Sequence, residues 1–256
     1  MIERTVKFIR THLKTLLFFG AAGLVGGFFT GLYLLDSYPA EIRDQIYAQG
    51  LNDVLLGVVT AVQAAGYGVV LGALGIALGT RAGLFKNERT FTKKNLTRAI
   101  VVAVVVGLSM ILFDLLWFCK VSDAIMDSYA TKPGVVTIIA GVIYGGVIEE
   151  VMLRLFGMSL VALVDYNIFC SGKEKPSDAA LALANAVTAL LFAAGHLPAT
   201  AALIGITPLI LFRCFLLNGG AGVAFGWLYR KCGLRYAMIA HAGAHVVSKL
   251  IWIIFV

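Results

Sequence analysis

The chain has 256 residues, of which 60% are apolar and only 14% charged, with a mean hydropathy of +0.90. Such a composition excludes an ordinary soluble domain and marks a polytopic helical membrane protein, with length for one compact bundle. The net charge of +7 does not point to nucleic acid, because basic residues in so apolar a chain act as loop anchors that set topology.

The N-terminal segment is basic, with Arg4, Lys7, Arg10 and Lys14. The apolar run 15–35 that follows is too long for a signal-peptide core and has no clear cleavage site, so it reads as an uncleaved first span. Further apolar runs cover 53–80, 97–118, 134–164, 179–197, 201–217, 219–229 and 236–256. A helix of about 20 residues crosses the hydrocarbon layer. The run 134–164 is longer than a straight crossing needs, which predicts tilt or extension beyond the bilayer. The runs 201–217 and 219–229 are parted only by Asn218-Gly219-Gly220, as two short helices or one broken one. The expected fold is therefore all-α, a polytopic transmembrane bundle of seven or eight spans in a single domain.

Loop charges alternate. The loop after the first run carries Asp36, Glu41, Asp44 and Asp53 against Arg43, whereas the next carries Arg81, Lys86, Arg89, Lys93, Lys94 and Arg98 against Glu88. By the positive-inside rule the N-terminus and second loop are cytoplasmic and the first loop outside. Loop 165–178 then lies inside. Arg230, Lys231 and Arg235 lie inside only if 201–229 is one crossing. Glycines recur at four-residue spacing, Gly23/Gly27/Gly31, Gly68/Gly72 and Gly75/Gly79. These are faces on which helices approach closely, within the chain or in a dimer. Cys119, Cys170, Cys214 and Cys232 are widely spaced, form no C-x-x-C pair, and read as ordinary small residues.

Ionisable groups inside the apolar runs carry the chemistry. Glu149, Glu150 and Arg154 lie in 134–164, His196 in 179–197, and His241 and His245 in 236–256. A charge at bilayer depth costs a few kcal/mol or more. His241 and His245 are four apart and share a helical face, as do Phe192 and His196, and Glu150 and Arg154. Glu149 points about 100° away from Glu150 at about 3.6 residues per turn. A lone intramembrane His is usually a packed residue, and a Glu–Arg pair is often structural. Gln63 and Asp114 exemplify that bland class, single polar groups with no partner in the sequence. Two acids, an Arg and three His on three spans are satisfied together most cheaply by converging on one cavity.

The ordered pattern Glu149-Glu150-x-x-x-Arg154, Phe192-x-x-x-His196 and His241-x-x-x-His245 resembles the motifs of the CPBP family. That family holds CAAX prenyl endopeptidases and bacteriocin-processing or immunity-type membrane proteins. The resemblance covers about 130–250. It implies an eight-helix bundle, peptide-bond hydrolysis and an integral protein of a bacterial or archaeal cell membrane. It implies further that one of Glu149 and Glu150 activates water, that Arg154 positions the pair, that His196 is the second-motif histidine, and that His241 assists or stabilises the oxyanion. The last motif usually ends in Asn or Asp, and His245 stands there. Three His beside two Glu also resembles a zinc ligand set, but H-E-x-x-H is absent, and no cofactor is expected.

A carboxylate in a low-dielectric cavity has its pKa raised, and a neighbouring carboxylate raises it further, which brings a general base toward neutrality. Glu149 is the expected base, since Glu150 has the i,i+4 relation to Arg154. The expected function is an intramembrane endopeptidase acting on a membrane-associated or lipidated peptide. Two other classes stay open: a non-catalytic interaction or immunity protein on the same scaffold, and a proton-coupled transporter, although no inverted repeat is visible.

Overall fold

A computed structural model describes residues 2–85, 90–169 and 175–256. Cys170 and the loop residues Lys86, Glu88 and Arg89 lie outside them. Among the described residues seven helices are long and apolar enough to cross a membrane: α1 (Thr5–Ser37), α2 (Asp53–Arg81), α3 (Lys93–Val121), α4 (Val135–Tyr166), α5 (Asp178–Ile204), α6 (Pro208–Cys232) and α7 (Leu234–Phe255). Two short helices, Ala40–Ala48 and Asp123–Ser128, lie in the loops after α1 and α3. No strand occurs among the described residues. The protein is an all-α, integral membrane bundle. Large apolar side chains such as Leu17, Val62, Leu116 and Leu190 stay exposed along the spans, as expected of helices solvated by lipid.

The seven spans settle the region around residue 218. Asn218-Gly219-Gly220 does not break a helix; α6 runs through it. The break falls earlier, at Gly205, which takes φ +76°, and Thr207. The Thr207 side chain caps α6 by accepting from Ile210 N–H at 3.2 Å, and Pro208 opens the helix. A left-handed glycine followed by Thr-Pro is a stronger stop-and-start signal than two glycines inside a buried helix. Counting crossings, Arg230, Lys231 and Arg235 return to the end that holds the N-terminus and the basic second loop, while the acidic first loop lies at the other.

α4 is the centre of the bundle, packed against α1, α2, α5, α6 and α7. The glycine faces serve contacts within the chain. A Cβ on Gly23 would stand 2.6 Å from the backbone of Ala64, and one on Gly27 2.5 Å from the carbonyl oxygen of Thr60, so α1 and α2 touch backbone to backbone. A Cβ on Gly75 would meet Leu155 of α4 at 2.7 Å.

Asp114 is not a lone polar group. It is buried, and Arg213 of α6 grips it through one guanidinium edge, donating from Nε at 2.6 Å and from Nη2, while the Tyr129 hydroxyl donates to it at 2.7 Å. Burial, and then the adjacent Asp114 carboxylate, push the Tyr129 phenol up. The partner sits 99 residues away, where helical spacing gives no sign of it. This bidentate pair ties α3 to α6. Gln63, by contrast, is met within its own helix, by Tyr67 at 2.6 Å.

Candidate functional site

The middle of α4 is not an ordinary α-helix. Ala140–Glu149 and Val151–Met158 are wound with i→i+5 hydrogen bonds, a rare π form that concentrates at functional sites. Such a turn holds between four and five residues, so positions four apart stay on one face. Glu150 and Arg154 do so: both side chains are fully buried, with Arg154 Nε 3.5 Å from Glu150 Oε2. The other Glu150 oxygen, Oε1, accepts from His241 Nδ1 at 2.9 Å.

His241 links the two acids. Its Nε2 lies 3.7 Å from Glu149 Oε2, so one imidazole edge faces each carboxylate. The acids themselves differ. Glu150 is sealed, whereas the Glu149 side chain keeps 21% of its surface exposed. Glu150 is held by a cation on its own helix and by a histidine from α7. Among the described residues the ion pair of Glu149 is the longer contact with His241.

Phe192 of α5 gives the second motif a physical sense. Its ring lies under the Arg154 guanidinium, 4.8 Å from the centroid, and meets the rings of His196 and His241 edge-on at 4.7 and 5.6 Å. Phe225 of α6, which spacing did not single out, stacks on His241 at 4.5 Å and faces Arg154 at 5.9 Å. The guanidinium nitrogens of Arg154 make no hydrogen bond among the described residues. Desolvated cation–π contacts, each contributing about 2 kcal/mol, and the ion pair hold the charge instead.

The three histidines share a second space. His196, His241 and His245 line a cavity of about 20 Å³ together with Asn218 and Phe192, enough for about one water molecule. The glutamates are not on its wall; His241 joins that cavity to them. His196 caps the first part of α5, and its Nδ1–H donates to the Phe192 carbonyl at 2.7 Å. That bond fixes the tautomer, so neutral His196 keeps Nε2 as an acceptor. His245 stacks on His241 at 5.1 Å. Its ring lies against α4 where Gly141 and Gly145 leave room: a Cβ on Gly145 would stand 2.7 Å from His245 Nε2. Gly141 and Gly145 keep the four-residue spacing already noted in α1 and α2, and that spacing is the signal that finds them. Asn218 had none. It comes to the cavity because α6 continues past it. Among the described residues no group of three or more His, Cys, Asp or Glu side chains is arranged to hold a metal ion.

Residues 131–247 match the family model described as Rce1-like, the type II CAAX prenyl endopeptidases. Over that stretch, a little under half of its length, the chain is similar to the Rce1-like members of the CPBP family. No curated protein and no solved structure matches it. The matched segment runs from the loop before α4 into α7 and contains every motif residue: Glu149, Glu150, Arg154, Phe192, His196, His241 and His245. The match supports, at the level of that family, an intramembrane CAAX-type protease with a peptide substrate, and the apolar spans support a bilayer environment.

Proposed function

We propose that the protein is a metal-independent endopeptidase in which Glu149 activates water against a peptide bond of a membrane-associated or lipidated peptide. The contrast between the two acids carries the reading. Glu150 is fully buried between Arg154 and His241, while Glu149 is partly open and has no cation of its own. A base needs a reachable carboxylate, and a positioning acid needs fixed partners.

The steps balance as a hydrolysis. Glu149 takes a proton from water while the water oxygen bonds to the scissile carbonyl carbon. The carbonyl oxygen becomes an oxyanion beside the histidine cavity. The C–N bond then breaks, and the departing amine takes the proton from Glu149. Glu150 pairs with Arg154 and orients His241 through Nδ1, so His241 presents Nε2 toward Glu149. Oxyanion donation falls to the groups of the cavity, His245 and the Asn218 amide. One such donor contributes about 3 kcal/mol to the transition state. His245 stands where the family usually has Asn or Asp, and a ring N–H donates as an Asn amide does. The N-terminus and the Arg230–Arg235 cluster are cytoplasmic on this reading, from the loop charges.

The test is cleavage of a farnesylated C-terminal peptide by the purified protein in liposomes, with zinc measured in the same sample. The expected result is cutting that chelators leave unchanged, zinc far below one per chain, and substantial activity in His245→Asn. A peptide left intact by folded protein would sink the enzyme reading. Zinc near one per chain, lost with activity in His245→Ala, would overturn the metal-free assignment, since zinc sites need three or four ligands at about 2 Å.

A further inference from the structure

A second, roomier cavity lies away from the carboxylates. It measures about 310 Å³ and opens at the basic end of the bundle, between α1, the segment after α2, and the junction of α6 and α7. One wall is cationic, formed by Arg230, Lys231 and Arg235, with the Asn95 amide beside them; the other is apolar, with Phe18, Phe19 and Phe85. We infer that this pocket binds an anionic phospholipid from the leaflet at that end.

Charge and placement carry the inference. Among the described residues the wall has one carboxylate partner: Asp178, an exposed residue, pairs with Arg230. Arg235 is held by the face of Phe91, 4.8 Å from its centroid, which positions the cation without neutralising it. Lys231 is exposed and makes no ion pair among the described residues. Cations left over at a concave surface favour an anion. Basic pockets between transmembrane helices at the cytoplasmic face suit lipid phosphates.

The apolar wall rules against a purely water-soluble anion. Phe19 is buried and forms the floor, while Phe18 is 54% exposed on the lipid-facing side of α1, next to Leu17 at 63%. A phosphate at the arginines would leave its glycerol against Phe19 and Phe85 and its acyl chains passing Phe18 into the bilayer. The volume falls at the lower end of that of small-ligand sites, about 300–1,000 Å³. Tyr229, fully buried with its hydroxyl on Ser159 at 3.1 Å, closes the inner end. The pocket is thus separate from His241 and Glu149.

Thermal unfolding of the full chain in neutral detergent, with phosphatidylglycerol or phosphatidylcholine added, tests this. Phosphatidylglycerol should raise Tm and phosphatidylcholine should not. Lys231→Gln/Arg235→Gln should weaken phosphatidylglycerol binding about tenfold or more, at about one tenfold step or a little less per cation removed. Lys93→Gln/Lys94→Gln, two exposed cations outside the pocket, is the control and should bind as wild type does. Lys231→Gln alone covers the case in which the double variant fails to fold, and should show part of the loss. Equal losses in pocket and control variants would mean unspecific surface attraction and overturn the site. Protection by glycerol phosphate matching that by the lipid would make it a soluble-anion site and overturn the lipid assignment. Because the readout is binding, it stands or falls independently of peptide cleavage.

Discussion

Glu149→Gln is expected to lower peptide cleavage by about 10²–10⁴-fold, the range a general base contributes, with Tm and membrane insertion unchanged. Glutamine keeps the size and a carbonyl acceptor but cannot take the proton from water. Stability should hold because Glu149 is partly exposed and its contact with His241 Nε2 is long, at 3.7 Å. By the Eyring relation the loss corresponds to about 3–5 kcal/mol of transition-state stabilisation. Glu150→Gln should also abolish cleavage, by releasing Arg154 and His241 from their set positions, but with a lower Tm. Normal turnover by Glu149→Gln with loss confined to Glu150→Gln would reverse the assignment of the two acids. Normal turnover by both would favour a non-catalytic scaffold.

Glu150→Ala should have the largest effect on stability. It strands the Arg154 guanidinium, fully buried and with no hydrogen bond among the described residues, and removes the acceptor of His241 Nδ1. Breaking a buried ion pair by deleting one partner costs about 3–5 kcal/mol, enough to unfold much of a marginal protein. Replacing both members by apolar residues, as in Glu150→Leu/Arg154→Met, removes the stranded charge and should recover most of the stability without activity. Thermal unfolding in detergent separates the cases. A wild-type Tm for Glu150→Ala would mean that the pair does not hold the centre of α4.

The motif residues announced themselves because an ionisable group stands out in an apolar run, and their pairing followed from four-residue spacing. Glu150–Arg154 and His241–His245 form contacts that spacing alone predicts. Contacts between helices were of another kind. Asp114–Arg213, Phe225 on His241, and Asn218 at the histidine cavity each join residues from different spans, and no periodicity within one helix encodes them. The helix break was misplaced for a local reason: Gly219-Gly220 looked like the stronger breaker, but Thr207-Pro208 supplies a cap and a fixed φ where Gly205 already turns the chain. The π winding of Ala140–Glu149 and Val151–Met158 carries no local sequence signature.

Single-turnover cleavage of the farnesylated peptide in H₂¹⁸O, followed by mass spectrometry of peptide and protein, bears most directly on the central claim. A glutamate-activated water predicts one ¹⁸O in the new C-terminal carboxylate and none in the side chains of Glu149 or Glu150. Uncut peptide in the presence of folded protein, or ¹⁸O in either glutamate, as attack through an acyl-glutamate would leave, would contradict it.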